Sequence, residues 1–222
     1  MKQLPHIIYI IVAIGCLIGR LLSDPLSTQL DYIFKPLLMP ILVWMVFTAK
    51  SYPNKALLIM ALIFAWGGDI SLMLGRNGLI FIAGLGSFLI MQILYILIFK
   101  KDWAKPSFLK KYPIWSLPFI AIGASFYLLS IPKLSTDLIM LIAVFIYATA
   151  LTGMTLSALN RKVEVLSWQY VFIGAVFFLF SDLMIGASKF IVDDFAYSGF
   201  AIMLTYVIGQ YLMVQGLLKS SN

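Results

Sequence analysis

Charge, histidine and cysteine are all scarce in this chain. Of 222 residues, 11% are charged, one is His and one is Cys. A soluble globular chain is about a quarter charged and about half apolar. Here 62% of residues are hydrophobic, so water cannot be the main solvent. The lone Cys16 allows neither an internal disulfide nor a thiolate metal site. The lone His6 excludes a zinc hydrolase of the kind built inside a helix bundle, which needs several His ligands. Missing too are a Gly-x-Ser-x-Gly elbow with a His partner and a mid-span Lys that could form the Schiff base of a rhodopsin-like pigment.

What the chain has is hydrophobic length. A membrane-crossing helix takes about 20 apolar residues, and such stretches use up nearly the whole sequence. They run Leu4–Leu22, Pro36–Ala49, Ala56–Leu74, Leu79–Phe99, Pro113–Ile131, Leu138–Leu159, Val165–Ser188 and Phe195–Leu218. The second is short unless it begins near Asp31. No alternating-strand pattern appears, and backbone groups in hydrocarbon must bond internally, so the spans are helices. The expected fold is an all-α integral membrane bundle of eight transmembrane helices, one domain over residues 1–222. Ala13-Ile14-Gly15-Cys16 loosely resembles a lipoprotein cleavage site, but the apolar run continues through Leu17-Ile18 and Leu21-Leu22, so the first span is expected to be retained.

The net charge of +7 is a matter of placement, not of nucleic-acid binding. Lys2, Lys50, Lys55, Lys100, Lys101, Lys105, Lys110, Lys111, Arg161, Lys162 and Lys219 fall on one side of the spans; Arg20, Lys35, Arg76, Lys133 and Lys189 fall on the other. Eleven against five predicts that both termini are cytoplasmic. The loop acids Asp24, Asp31, Asp137, Asp193 and Asp194 lie on the poorer side, which agrees. Trp103, Trp115 and Trp168 fall at the inner interface, where an amphipathic ring is favoured. The expected location is a bacterial cytoplasmic membrane.

Against this background two residues stand out. Asp69 and Asp182 are the acids that lie well inside apolar spans, the third and the seventh. A carboxylate there costs a few kcal/mol or more, faces the bundle interior and marks function by default. The bland alternative is a structural hydrogen bond between helices. Two matched positions favour function: Asp69 lies seven residues before Arg76 and Asp182 seven before Lys189. Each therefore sits roughly 10 Å below a basic anchor, on helices that run in the same direction. If the two spans are neighbours, the carboxylates can share one cavity. Two carboxyl groups in a site of low dielectric do not both ionise; one stays protonated while the other stays charged. Such a pair supplies an acid and a base for hydrolysis through an oxocarbenium-like state. The same pair could carry a proton or cation in a transporter, and the pair alone does not decide between these.

Further polar residues could line that cavity. Gln92 and Tyr95 share a face of span four, and Tyr206 and Gln210 share a face of span eight. Tyr147 and Ser181 are additional candidates, each with an interhelical hydrogen bond as its plain alternative. Lys35, at the outer mouth of span two, is a candidate for a lipid phosphate or a snorkelling interfacial lysine. Gly67-Gly68 ahead of Asp69 reads as a site of close helix packing, and Asp193-Asp194 as solvated loop acids. Spans three and four and spans seven and eight share the order Asp, basic residue, then a helix with Tyr and Gln. Two parallel four-helix repeats are one reading of that order.

Several of these segments together resemble a known family. Lys35-Pro36-Leu37, Gly68-Asp69-Ile70-Ser71-Leu72, Ser181-Asp182-Leu183 and Lys189-Phe190 look like motifs of the YhhN, or lysoplasmalogenase, family. Phe88-Leu89-Ile90-Met91-Gln92-Ile93-Leu94-Tyr95 and Thr205-Tyr206-Val207-Ile208-Gly209-Gln210 resemble its fourth and eighth helices. The likeness runs from about residue 30 to the C-terminus. It rests on the order and spacing of the motifs, none of which is specific singly. Relatives often carry His where this chain has Gln92. Gln donates and accepts hydrogen bonds but does not take up a proton near neutral pH. An orienting role of that His would transfer to Gln92; a proton-carrying role would not.

The resemblance implies hydrolysis of the vinyl ether bond of a lysoplasmalogen, a membrane lysophospholipid. The products would be a fatty aldehyde and glycerophosphoethanolamine or glycerophosphocholine. It further implies that Asp69 and Asp182 catalyse, one as acid and one as base. The tail would lie between helices while Lys35 and tyrosines hold the headgroup. No metal or organic cofactor is required.

Overall fold

A computed structural model of the protein describes residues 3–49, 52–75, 78–103, 105–192 and 197–219. Among them every regular element is a helix: α1 (Leu4–Gly19), α2 (Leu26–Thr48), α3 (Lys55–Leu74), α4 (Gly78–Lys100), the short α5 (Phe108–Lys111), α6 (Leu117–Leu134), α7 (Leu138–Leu159), α8 (Val165–Phe190) and α9 (Ser198–Lys219). A 3-10 turn at Pro113–Ser116 leads into α6, so that Pro113–Leu134 makes one apolar segment. That segment and α2, α3, α4, α7, α8 and α9 are each long and apolar enough to cross a membrane. The first expected span is the shorter apolar helix α1, which has 16 residues and reaches about 24 Å, less than the roughly 30 Å hydrocarbon core. Large apolar side chains such as Ile7, Ile11, Ile14, Leu79 and Ile139 are exposed on the outside. An apolar perimeter around a packed interior is what lipid as solvent demands. The protein is an integral membrane bundle. The anchors Lys2, Lys50 and Arg76, the acids Asp193 and Asp194, and the Phe195 start expected for the last span lie outside the described residues.

The second span corrects an expectation. It begins at Leu26 rather than Pro36, because Pro36 and Pro40 are accommodated inside α2. Pro40 has no N–H to give the Pro36 carbonyl, and Trp66 Nε1 from α3 donates to that oxygen at 2.9 Å. A freed backbone acceptor is thus satisfied by a neighbouring helix, the usual condition for proline inside a span. The early start also places Asp31 within α2, where it is buried.

Successive helices pack as neighbours from α1 to α4; α4 then packs on α7, α7 on α8, and α8 on α9. The arrangement closes because α9 returns to α1 and α2. Tyr9 Oη donates to the Val207 carbonyl at 2.8 Å, and His6 Nδ1 bonds Tyr211 Oη at 3.0 Å. Helix α6 packs mainly on α7 and α8 and is poor in buried residues. At the Lys-rich end the buried Arg161 bonds Asp102 Oδ2 at 2.8 Å, and Trp168 Nε1 donates to the Leu159 carbonyl at 3.1 Å. These contacts hold the loops there together.

The tightest approach is between α8 and α9. A Cβ on Gly174 would lie 2.8 Å from the Gly209 carbonyl oxygen and the Met213 nitrogen, and one on Gly209 would lie 2.9 Å from the Gly174 oxygen. Backbone meets backbone, so nothing there can yield to a side chain. Gly174→Leu is therefore expected to cost about 3 kcal/mol or more. Gly86→Ala, at a glycine with open space around it, should be tolerated. Thermal unfolding of the two purified variants, followed by the loss of the monodisperse peak in detergent, measures the contrast.

Candidate functional site

The site grows from α3 and α8, each of which carries its Asp in its C-terminal part. Both carboxyl groups are buried, Asp69 being 2% and Asp182 6% exposed. Gly68 makes room beside Asp69: a Cβ there would come within 2.6 Å of the Phe88 ring, and one on Gly67 within 2.8 Å of Ser87 Oγ. The pair of glycines packs α4 against α3, as the sequence suggests.

The two carboxyl groups have unlike surroundings. Both oxygens of Asp69 are engaged: Lys35 Nζ of α2 stands 3.6 Å from Oδ1, and Tyr206 Oη of α9 donates to Oδ2 at 2.5 Å. Lys35 is mostly buried, so it turns inward to the carboxylate and does not snorkel to the interface. Asp182 accepts both of its hydrogen bonds on Oδ2, from Gln92 Nε2 of α4 at 3.2 Å and from Tyr147 Oη of α7. Among the described residues no cation pairs with Asp182, and its Oδ1 has no hydrogen-bond partner.

These bonds cross between two hairpins. Asp69 on α3 is held by α9, and Asp182 on α8 is held by α4. Tyr95 Oη on α4 donates to Gln210 Oε1 on α9 at 3.0 Å, and Gln210 Nε2 faces Met91 Sδ at 3.3 Å. Tyr95 and Gln210 thus spend their polar groups on an interhelical lock and line neither of the two cavities described next. Ser181 lines the polar cavity, but its hydroxyl donates to the Ile202 carbonyl at 3.0 Å.

Two cavities meet at Asp182. The polar one is lined by Arg20, Lys35, Asp69, Ser181, Asp182 and Tyr206, among others. The apolar one includes Phe81, Leu85, Phe126, Val144 and Phe190, with Tyr147 and Asp182 at its polar end. Leu72, Phe88, Asp182 and Ile185 belong to both. Each holds about 30 Å³, the room of a water or two. The carboxyl groups of α3 and α8 therefore open onto one chamber, although α3 packs on α2 and α4, and α8 packs on α6, α7 and α9.

Arg20 is the wall residue that a reading of the sequence misses. At the end of the first apolar run it looks like an interfacial anchor, and Asp31 looks like a loop acid. The inward pairing of Arg20 Nη2 with Asp31 Oδ2 at 2.6 Å depends on α2 starting at Leu26. Opposite charges flanking a tight helical connection were the available signal.

The model of the YhhN family matches residues 30–217. No protein with a curated description and no solved structure matches the chain.

The Lys35–Asp69 pair has a measurable consequence. Removing one partner of a buried ion pair leaves an uncompensated charge. Lys35→Met is expected to destabilise the purified protein by about 3–5 kcal/mol, and Lys35→Met with Asp69→Asn should recover most of the loss. Thermal unfolding of the two single variants and the double variant makes the comparison.

Proposed function

The chain belongs to the YhhN family, and from that premise and the shape of the chamber we propose that it hydrolyses the vinyl ether bond of a lysoplasmalogen. The observation that carries the reading is the position of Asp182, where a polar cavity meets an apolar one. A lysolipid has this same division: glycerol and headgroup at one end, a hydrocarbon chain at the other, and the scissile vinyl ether between them. With the headgroup among Arg20, Lys35 and Asp69 and the chain among Phe81, Phe126 and Leu85, the ether lies beside Asp182. Both cavities are narrow, so headgroup and chain enter as the side chains that line them swing aside.

The unlike surroundings divide the roles. Lys35 favours the ionised form of Asp69, whereas among the described residues no cation pairs with Asp182 and one of its oxygens is unengaged, so Asp182 carries the proton. Asp182 delivers that proton to the β-carbon of the vinyl group, and the ether oxygen shares the charge left on the α-carbon as an oxocarbenium ion. The Asp69 carboxylate stabilises that cation through space. Water adds to the α-carbon and returns a proton to Asp182, which leaves a hemiacetal. Collapse of the hemiacetal breaks the carbon–oxygen bond to glycerol and yields the aldehyde and the free glycerol hydroxyl. Gln92 and Tyr147 act on Asp182 Oδ2 and so hold Oδ1 toward the substrate; Gln92 needs only to donate here, which fits an amide. This chemistry uses no metal or organic cofactor. In this reading the Lys-rich end, with both termini, faces the cytoplasm.

A proton- or cation-coupled transporter would need the carboxyl pair, but it gives no reason for the apolar cavity that ends on Asp182. The two are separated by experiment. Asp182→Asn and Asp69→Asn should each lower aldehyde release from an alkenyl-glycerophosphoethanolamine by about a hundredfold or more. Full turnover in either variant would overturn the assigned mechanism. Solute uptake into liposomes that requires a pH gradient, without aldehyde release, would support transport instead.

A further inference from the structure

Arg20 leaves α1 at its C-terminal cap, and its side chain lines the polar cavity beside Lys35. Gly199, at the start of α9, faces that side chain at ordinary van der Waals range, a Cβ there lying 3.4 Å from Arg20 Cδ. Asp31, 9% exposed, takes the Nη2 edge of the guanidinium at 2.6 Å.

The pair is left half-satisfied. Among the described residues Arg20 Nε is buried with no hydrogen-bond acceptor, and Asp31 Oδ1 is buried with no donor. A guanidinium offers five N–H groups, and a carboxylate accepts at both oxygens. Buried polar groups of this kind are normally bonded, and an exception calls for a ligand or other partner. Here one orphan donor and one orphan acceptor stand on two side chains that touch each other. A ligand that satisfies both carries an anionic acceptor and an N–H donor a few atoms apart.

We propose that the Arg20–Asp31 pair reads a phosphoethanolamine headgroup, Arg20 Nε donating to the phosphate and Asp31 Oδ1 accepting from the ammonium. The proposal rests on the lysolipid reading of the chamber and names its headgroup. Choline offers the same phosphate but no N–H, so Asp31 would remain unpaired behind it. A site built around a substrate N–H rejects the analogue that lacks it. Lys35, committed to Asp69 at 3.6 Å, adds positive charge on the phosphate side without being its main ligand. Arg20, which would hold the phosphate, precedes the segment that the family model matches, whereas Asp31, which would read the ammonium, lies within residues 30–217.

The test uses the purified full chain in an uncharged detergent with three substrates: alkenyl-glycerophosphoethanolamine, alkenyl-glycerophosphocholine and phosphate-free alkenylglycerol. In the wild type, kcat/KM should favour ethanolamine over choline by about tenfold or more, the scale of a charge-assisted hydrogen bond. Asp31→Asn should level ethanolamine with choline, and Arg20→Gln should level the phosphorylated substrates with alkenylglycerol, both through KM. Arg20→Lys, which keeps the charge but loses the fork, should fall between. Equal use of ethanolamine and choline by the wild type overturns the proposal, and that result does not depend on any variant folding. So does a parallel loss on all three substrates in both variants, which a merely structural pair would give. If the wild type turns over none of them, hydrolysis fails, and the headgroup assignment is read from thermal stabilisation by ester-linked lysophosphatidylethanolamine, lysophosphatidylcholine, monoacylglycerol and inorganic phosphate. The ranking with ethanolamine first supports it. Equal stabilisation by the lysolipids, or by inorganic phosphate alone, overturns it.

Discussion

A carboxyl group in the interior of a membrane bundle is cut off from bulk water, so the helices around it are constrained by the need to supply partners. Asp69 draws Lys35 inward from α2 and Tyr206 from α9; Asp182 draws Gln92 from α4 and Tyr147 from α7. Lipid tails are as apolar as the side chains between helices, and apolar burial therefore does little to choose helix neighbours. Polar contacts and close backbone approach choose them instead. The crossed bonds from α3 to α9 and from α8 to α4 tie the two hairpins together, and the Tyr95–Gln210 bond repeats that tie nearby.

The same network that satisfies the carboxyl groups makes them different. One Asp is pinned at both oxygens and paired with a cation; the other is held by one oxygen and left open at the seam between polar and apolar space. Two identical side chains acquire different surroundings from their neighbours, in a membrane protein that has one His and one Cys. Phe88 also lines both cavities, and it fits there only because Gly68 has no side chain to meet its ring. Packing and chemistry are set by the same residues.

Much of this was legible from the order of residues. Hydrophobic runs declare membrane helices because nothing else satisfies a backbone in hydrocarbon. The two Asp residues are conspicuous because so little else inside the spans is charged. Lys35, Gln92, Tyr147 and Tyr206 could be named as candidates because polar residues in such spans need partners. Tyr95 and Gln210 could be named for the same reason, yet they serve each other. Sequence cannot distinguish the two outcomes, since a polar group facing a cavity and one facing a neighbour's amide have the same spacing along a helix.

Composition and pattern by themselves determined that the chain is a helical membrane bundle and that Asp69 and Asp182 are its unusual residues, because the cost of a charge in hydrocarbon depends on depth and is local. Tertiary structure alone decided which helices are neighbours, that α2 begins at Leu26 and brings Asp31 against Arg20, and that the two carboxyl groups meet in one chamber while keeping different partners. Those outcomes depend on contacts between residues far apart in the chain, such as Tyr206 with Asp69 across 137 positions, and no local pattern encodes a meeting of that kind.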